Sequence, residues 1–148
     1  MTNNNLNTDT YKNEANAYFN ELAAELGHPD EQQKTARIWR AVIHSIRDRI
    51  TLSEAFDLMA QMPVILRGIF SDQWKYSEKP PLDYEDIEGL KKQVKRLQSQ
   101  YGEEDFNWEK STEEIFSITV DSMKKYLTEG QLQHLRDQMP KEVKELVH

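Results

Sequence analysis

The sequence predicts an all-α protein of eight helices, arranged as two quasi-equivalent four-helix repeats packed in one body. Three observations lead there. Apolar residues recur at three- and four-residue spacing along most of the chain, and no segment alternates with period two for long enough to make a strand. The chain also matches itself. A shift of 77 residues carries Ile38 to Ile115, Trp39 to Phe116, Ile43 to Val120, Ile46 to Met123, Ile50 to Leu127, Thr51 to Thr128, Leu58 to Leu135 and Met62-Pro63 to Met139-Pro140. Finally, helix starts and stops fall at matching places in the two halves.

Residues 1–10, polar and Asn-rich, form a disordered tail. Residues 11–74 make the first repeat. Ala15, Tyr18, Phe19, Leu22 and Leu26 follow helical spacing, and Gly27 sits where a left-handed residue ends a helix. Pro29-Asp30-Glu31 restarts the chain, with proline at a first helical position and acids at the positive end of the dipole. The second helix carries Ile38, Trp39, Val42, Ile43, Ile46 and Ile50 on one broad apolar face. Thr51-Leu-Ser-Glu54 reads as a capping box. The third helix then presents Ala55, Leu58, Met59 and Met62. Pro63 stops it and opens a short fourth helix with Leu66, Ile69 and Phe70.

Residues 75–84 form the linker, extended by Pro80-Pro81. Residues 85–148 make the second repeat. Leu90, Val94, Leu97, Tyr101 and Gly102 match Ala15, Phe19, Leu22, Leu26 and Gly27. Their shift is 75 residues, so the loop that follows has gained two, a cheap change at a surface. Ser111-Thr-Glu-Glu114 and Thr128-Glu-Gly-Gln131 are further capping boxes. Val64 and Ile65 are apolar where the second repeat has Lys141 and Glu142. The fourth helix is therefore expected to be covered on two sides and to join the halves. A self-association surface gives the same pattern.

Composition sets limits on function. The 148 residues suit one compact body, and 37% hydrophobic content lies above the range where disorder is the default. The net charge is −7, divided as 7 basic and 10 acidic residues to Trp74, then 12 and 16. Both halves are acidic, so nucleic acid and anionic membrane are not expected partners. The absence of cysteine excludes disulfides, thiolate chemistry and cysteine-based zinc sites. No apolar run approaches a membrane span, and MTNNNLNTDT lacks the features of a signal peptide. A cytoplasmic location is the expectation.

The stretch Ile46-Arg47-Asp48-Arg49-Ile50, Glu54-Ala55, Leu58, Ala60-Gln61, Pro63, Leu66-Arg67-Gly68 and Trp74 resembles the hallmark of a bacterial family, domain-of-unknown-function family 2267. The upstream run from Ala15 to Asp30 is similar to the family's start. Met62 stands where leucine is usual, and Phe70 where tyrosine is. The resemblance implies a small helical bacterial protein. It brings no activity and no catalytic residues.

Arg37, Arg40, His44 and Arg47 lie at i, i+3, i+7 and i+10, which makes one stripe on the second helix. The stripe suits an anion or an acidic partner, or is a solvated face paired with nearby carboxylates. Its counterparts in the second repeat are Glu114, Ser117, Asp121 and Lys124, so the internal pairing expected is with Glu114 and Asp121. Arg67 and Gly68, with Trp74, form the family-like motif. A glycine inside a helix costs about 1 kcal/mol against alanine. Packing is its expected reason, with Trp74 and Tyr76 covering an apolar edge.

His134 with Gln131 and Asp137 is a poor metal set. The acidic runs Asp83–Glu88 and Glu103–Asp105 lack a calcium-loop pattern. No hydrolase, zincin, phosphate-loop or dinucleotide motif is present. The sequence therefore points to no enzyme, no metal and no cofactor. Its leading functional expectation is a protein-interaction module, capable of self-association. The alternative is a binding domain for a small anionic or amphipathic ligand.

Overall fold

A computed structural model describes residues 6–75, 80–102 and 108–147. The helices are α1 (Asp9–Glu25), α2 (Gln32–Arg47), α3 (Leu52–Ala60), α4 (Val64–Ser71), α5 (Ile87–Gln100), α6 (Thr112–Ser122), α7 (Glu129–Gln138) and α8 (Lys141–Lys144). A 3-10 turn, Met123–Lys125, extends α6. Among the described residues there is no strand. The apolar faces expected for α1 and α2 are the ones buried: Tyr18, Phe19 and Leu22, then Ile38, Trp39, Val42, Ile43 and Ile46. Each fully buried side chain of this size contributes about 1.5–3 kcal/mol.

Helix α2 is the central element. It packs against α1, α4, α5 and α6, while α1 also meets α6, and α3 meets α7. One core cluster consequently runs from Ala15 to Val147. A buried polar chain crosses it. The indole N–H of Trp39 donates to the Tyr18 hydroxyl at 3.1 Å. Tyr18 in turn lies 2.5 Å from the Ser122 hydroxyl. Ser122 donates onward to the Thr119 carbonyl. This leaves Tyr18 as the donor to Ser122, and ties α1, α2 and α6 together.

Local punctuation follows the sequence closely, with instructive differences. Gly27 and Gly102 take φ of +85° and +94°, the left-handed region open to glycine. Ser111 and Thr128 form complete capping boxes with Glu114 and Gln131. At Thr51 only half the box is present. Its hydroxyl accepts from the Glu54 amide, but its own amide donates to the side-chain oxygen of Gln138, on α7. Helix α1 begins at Asp9, inside the stretch expected to be a tail; residues 1–5 lie outside the described residues.

Two proline readings shift. Pro29 and Asp30 form a turn ahead of α2, which starts at Gln32. The Glu31 carboxylate is engaged instead by His28 and Lys34, at 2.9 and 3.3 Å. Pro63 is the N-cap of α4 rather than its first helical residue.

The expectation that α4 joins the halves is overturned. Its packing neighbours are α1, α2 and α3, and Val64 is 50% exposed. The halves meet through α2 against α5 and α6, α1 against α6, and α3 against α7.

Candidate functional site

The basic stripe of α2 runs from the surface into the core. Arg37 is exposed, Arg40 is half-buried, and His44 and Arg47 are buried. The lower three residues meet the C-terminal end of α4 and the ring of Tyr101. Helix ends leave carbonyls without intrahelical partners, and α2 supplies the donors that α4 lacks.

Arg47 carries most of this. Its Nε and Nη2 donate to the two carboxylate oxygens of Asp48, at 2.8 and 3.1 Å. Its Nη1 donates to the carbonyls of Phe70 and Asp72, at 2.7 and 2.9 Å. A planar fork facing a carboxylate on one side and two carbonyls on the other is geometry that arginine alone provides. Arg40 forms an ion pair with Asp72, and its guanidinium lies 4.0 Å from the centroid of Tyr101.

His44 stands between these two arginines. One ring nitrogen, Nε2, is 2.7 Å from the Ile69 carbonyl. A carbonyl only accepts, so Nε2 carries the proton, and Nδ1 accepts from the Tyr101 hydroxyl at 2.6 Å. Burial, with the guanidiniums of Arg47 and Arg40 beside it, pushes the imidazole pKa down to about 4. His44 is thus neutral at pH 7, and the cluster holds two arginines against two aspartates.

The acids expected opposite the stripe are occupied elsewhere. Glu114 closes the box at Ser111, which holds its carboxyl below the usual range. Asp121 pairs with Lys124 at 2.7 Å. Asp72 and Asp48 take their place. Neither Tyr101 nor Asp72 was singled out by sequence. Tyr101 carried a signal, since it stands in a core-periodic position where the first repeat has Leu26; a hydroxyl there needs a partner.

The family-like motif divides in two. Arg67 donates to the Met62 carbonyl at 3.0 Å, satisfying the chain where it leaves α3. Trp74 packs its ring 5.0 Å from Phe56 and 5.7 Å from Phe70, covering the apolar edge as expected; Tyr76 lies outside the described residues. Gln73, at φ +55°, makes the reversal that brings Trp74 back. Gly68 does not fit the packing expectation. It is exposed, in the interior of α4, and among the described residues a Cβ there would meet nothing within 4 Å.

Arg49 completes the Arg47-Asp48-Arg49 motif on the other side. It donates to the Tyr84 carbonyl at 3.0 Å and pairs with Glu85. Tyr84 donates to the Ser45 carbonyl, and the Leu82 amide to the Asp48 carbonyl. The motif therefore fastens α4 with one arginine and the end of the linker with the other.

Several surface clefts lie among the described residues, three of them of 340 Å³ or more. One of about 340 Å³ lies between α1 and α6, with Glu21, Glu25 and Asp121 on its walls. Burial, with Glu21 and Asp121 nearby, raises the Glu25 carboxyl. A second, of about 450 Å³, is lined by Lys124, Leu127, Leu132 and Arg136. A third, of about 370 Å³, is an open groove between α2 and α4, lined by Ala36, Arg37, Arg40, Ile65, Gly68, Ile69 and Asp72. Of the weak metal set, Gln131 closes the box at Thr128 and Asp137 accepts from Gln133; the run Glu103–Asp105 lies outside the described residues. Among the described residues no helix is long and apolar enough to cross a membrane.

The family described as "Uncharacterized conserved protein (DUF2267)" matches residues 15–146. No curated protein matches the sequence.

Proposed function

The chain belongs to this DUF2267 family, and from the geometry of its surfaces we propose that it is a non-enzymatic helical protein-interaction module. The observation that carries the reading is the outer face of α4. Val64 is half exposed, and Ile65, Ile69 and Ala36 are only partly buried. The polar clusters, by contrast, are engaged within the chain: both ring nitrogens of His44 and the Nε, Nη1 and Nη2 of Arg47 have partners. These bonds hold the buried side chains of α2 against the end of α4 and against Tyr101. An apolar patch beside a polar rim suits a partner.

We further propose that the eight helices are two quasi-equivalent four-helix repeats, α1–α4 and α5–α8. The like conformations of Gly27 and Gly102 support it, as do the N-cap geometries of Pro63 (φ −60°, ψ 161°) and Pro140 (φ −56°, ψ 152°). The test of the interaction reading is Val64→Glu. The expected outcome is an unchanged melting midpoint together with loss of the protein that copurifies with the wild-type chain. An unchanged set of copurifying proteins overturns it. The second reading, a site for a small anion, is favoured by Arg37 and Arg40 on the walls of the α2–α4 groove. Heat released on titrating inorganic phosphate, lost in Arg37→Ala, would select it.

A further inference from the structure

The two hydrogen bonds of His44 respond to an added proton in opposite ways. Nε2 already donates to the Ile69 carbonyl, near the end of α4. A proton on Nδ1 charges the ring, and a charged donor holds a carbonyl more firmly than a neutral one. Nδ1 is the acceptor for the Tyr101 hydroxyl at 2.6 Å. Once protonated it donates, so two hydrogens face each other and that bond is lost.

The surrounding charge turns this loss into a movement. Among the described residues, the charged and titratable groups about His44 are Arg40, Arg47 and Asp48 from α2 and its cap, Asp72 from the end of α4, and the Tyr101 hydroxyl from the cap of α5. With His44 neutral, Arg40 pairs with Asp72 and Arg47 with Asp48. A proton on His44 leaves one positive charge without a counterpart in a buried place, and water is its cheapest remedy. Two walls stand between the cluster and solvent. The α4 wall is fastened by His44 and Arg47 through the carbonyls of Ile69, Phe70 and Asp72, and each of these bonds survives protonation. The Tyr101 wall loses its hydrogen bond. Its ring stands edge-on to His44 at 5.5 Å, held besides by the Arg40 guanidinium 4.0 Å from its centroid. That attraction is weaker than the cost of a buried uncompensated charge.

We propose that His44 and Tyr101 form an acid-opened latch, in which a proton on Nδ1 turns the Tyr101 ring out to solvent and admits water to the charge cluster while α4 stays fastened to α2. Only a side chain has to turn. The Tyr101 backbone is anchored to the carbonyls of Leu97 and Gln98, and α5 stays seated through Leu90, Val94 and Leu97. Burial and the two guanidiniums keep His44 neutral until the pH nears 4, so the latch is closed at pH 7. It does not depend on the interaction-module reading, which concerns the outer face of α4.

The test is NMR of the full-length, isotopically labelled chain, titrated from pH 7 down through the folded pKa of about 4. Ring-nitrogen shifts of His44 report the proton, cross-relaxation between the His44 and Tyr101 rings reports the latch, and exchange of the Ile69 and Phe70 amides reports α4. The ring contact should vanish with the same midpoint as protonation, with both amides still protected. Tyr101→Phe removes the donor to Nδ1, so the His44 midpoint should rise by about half a pH unit or more. In His44→Gln the Tyr101 ring should hold its position throughout. A ring contact that survives protonation overturns the proposal, because the hydroxyl has then only reversed its hydrogen. Loss of amide protection at the same midpoint, by opening of α4 or of the whole chain, overturns it too. So do an unmoved midpoint in Tyr101→Phe and a Tyr101 ring that still turns out in His44→Gln.

Discussion

The indole of Trp39 donates to the hydroxyl of Tyr18 across 3.1 Å of fully buried core, and that hydroxyl reaches Ser122 on the opposite half of the sequence. One phenol thus serves three helices. Tyr18→Phe should leave the Trp39 N–H without an acceptor, at a cost of about 1–3 kcal/mol. Trp39→Ala removes packing as well and should cost about 3–5 kcal/mol. Urea melts measure both; a cost near zero for Trp39→Ala contradicts its place at the centre of the core.

The caps give a graded series. Ser111→Ala and Thr128→Ala should each cost about 1 kcal/mol. Thr51→Ala should cost a similar amount, and Gln138→Leu should destabilise too, although it lies 87 residues away in sequence. Alanine at 51 keeps the backbone amide that donates to Gln138, so the contact is read from Gln138→Leu alone in urea melts, and a cost near zero would mean that it is idle.

Glycines should separate by backbone rather than by burial. Gly68→Ala should stabilise by about 1 kcal/mol, since it gains helix propensity and meets no atom of the described residues. Gly27→Ala and Gly102→Ala should destabilise, because both hold positive φ. Thermal melts of the three variants settle it, and destabilisation by Gly68→Ala would show an internal role for that glycine.

His44 predicts a pH dependence. Its folded pKa, about 4, lies below the ordinary 6.5. The unfolded chain therefore binds the proton first, and stability falls as pH drops from about 6.5 to about 4. The neutral form is the one the fold favours, worth on the order of 3 kcal/mol above that window. His44→Gln keeps a donor for Ile69 and an acceptor for Tyr101 but does not titrate. Its stability should be flatter over the same window, measured by urea melts at half-unit steps; an equal slope in wild type and variant refutes the assignment.

The two halves share a core, so neither should stand alone. Chains cut in the linker, 1–79 and 80–148, should each melt without cooperativity, and mixing them should restore the helical signal and a single transition. Independent cooperative melting of either piece would show that the contacts of α2 with α5 and α6 are dispensable.

The helices and their faces were legible because burial and period coincide: Ile38, Trp39, Val42, Ile43 and Ile46 announce one side of a helix and lie on it. Caps were legible because they are local, as at Ser111 and Thr128. What lay beyond reading were partners distant in sequence. The stripe was visible at Arg40, His44 and Arg47, but its acceptors are the backbone carbonyls of Phe70, Ile69 and Asp72, which leave no trace in side-chain identity. Acids on α6 were expected opposite the stripe because spacing ranks side chains and is blind to peptide groups. Val64 misled because an apolar residue raises the expectation of cover, whereas much of a folded protein's surface is apolar, and Val64 is 50% exposed.

The fork of Arg47 restricts what may replace it. Its carboxylate lies in the next residue, and its carbonyls lie 23 and 25 residues away, so three partners converge on one plane. A lysine there keeps the charge and loses the plane, so an exchange counted as mild on paper becomes a severe lesion. Drift at this position is closed to the nearest chemical alternative.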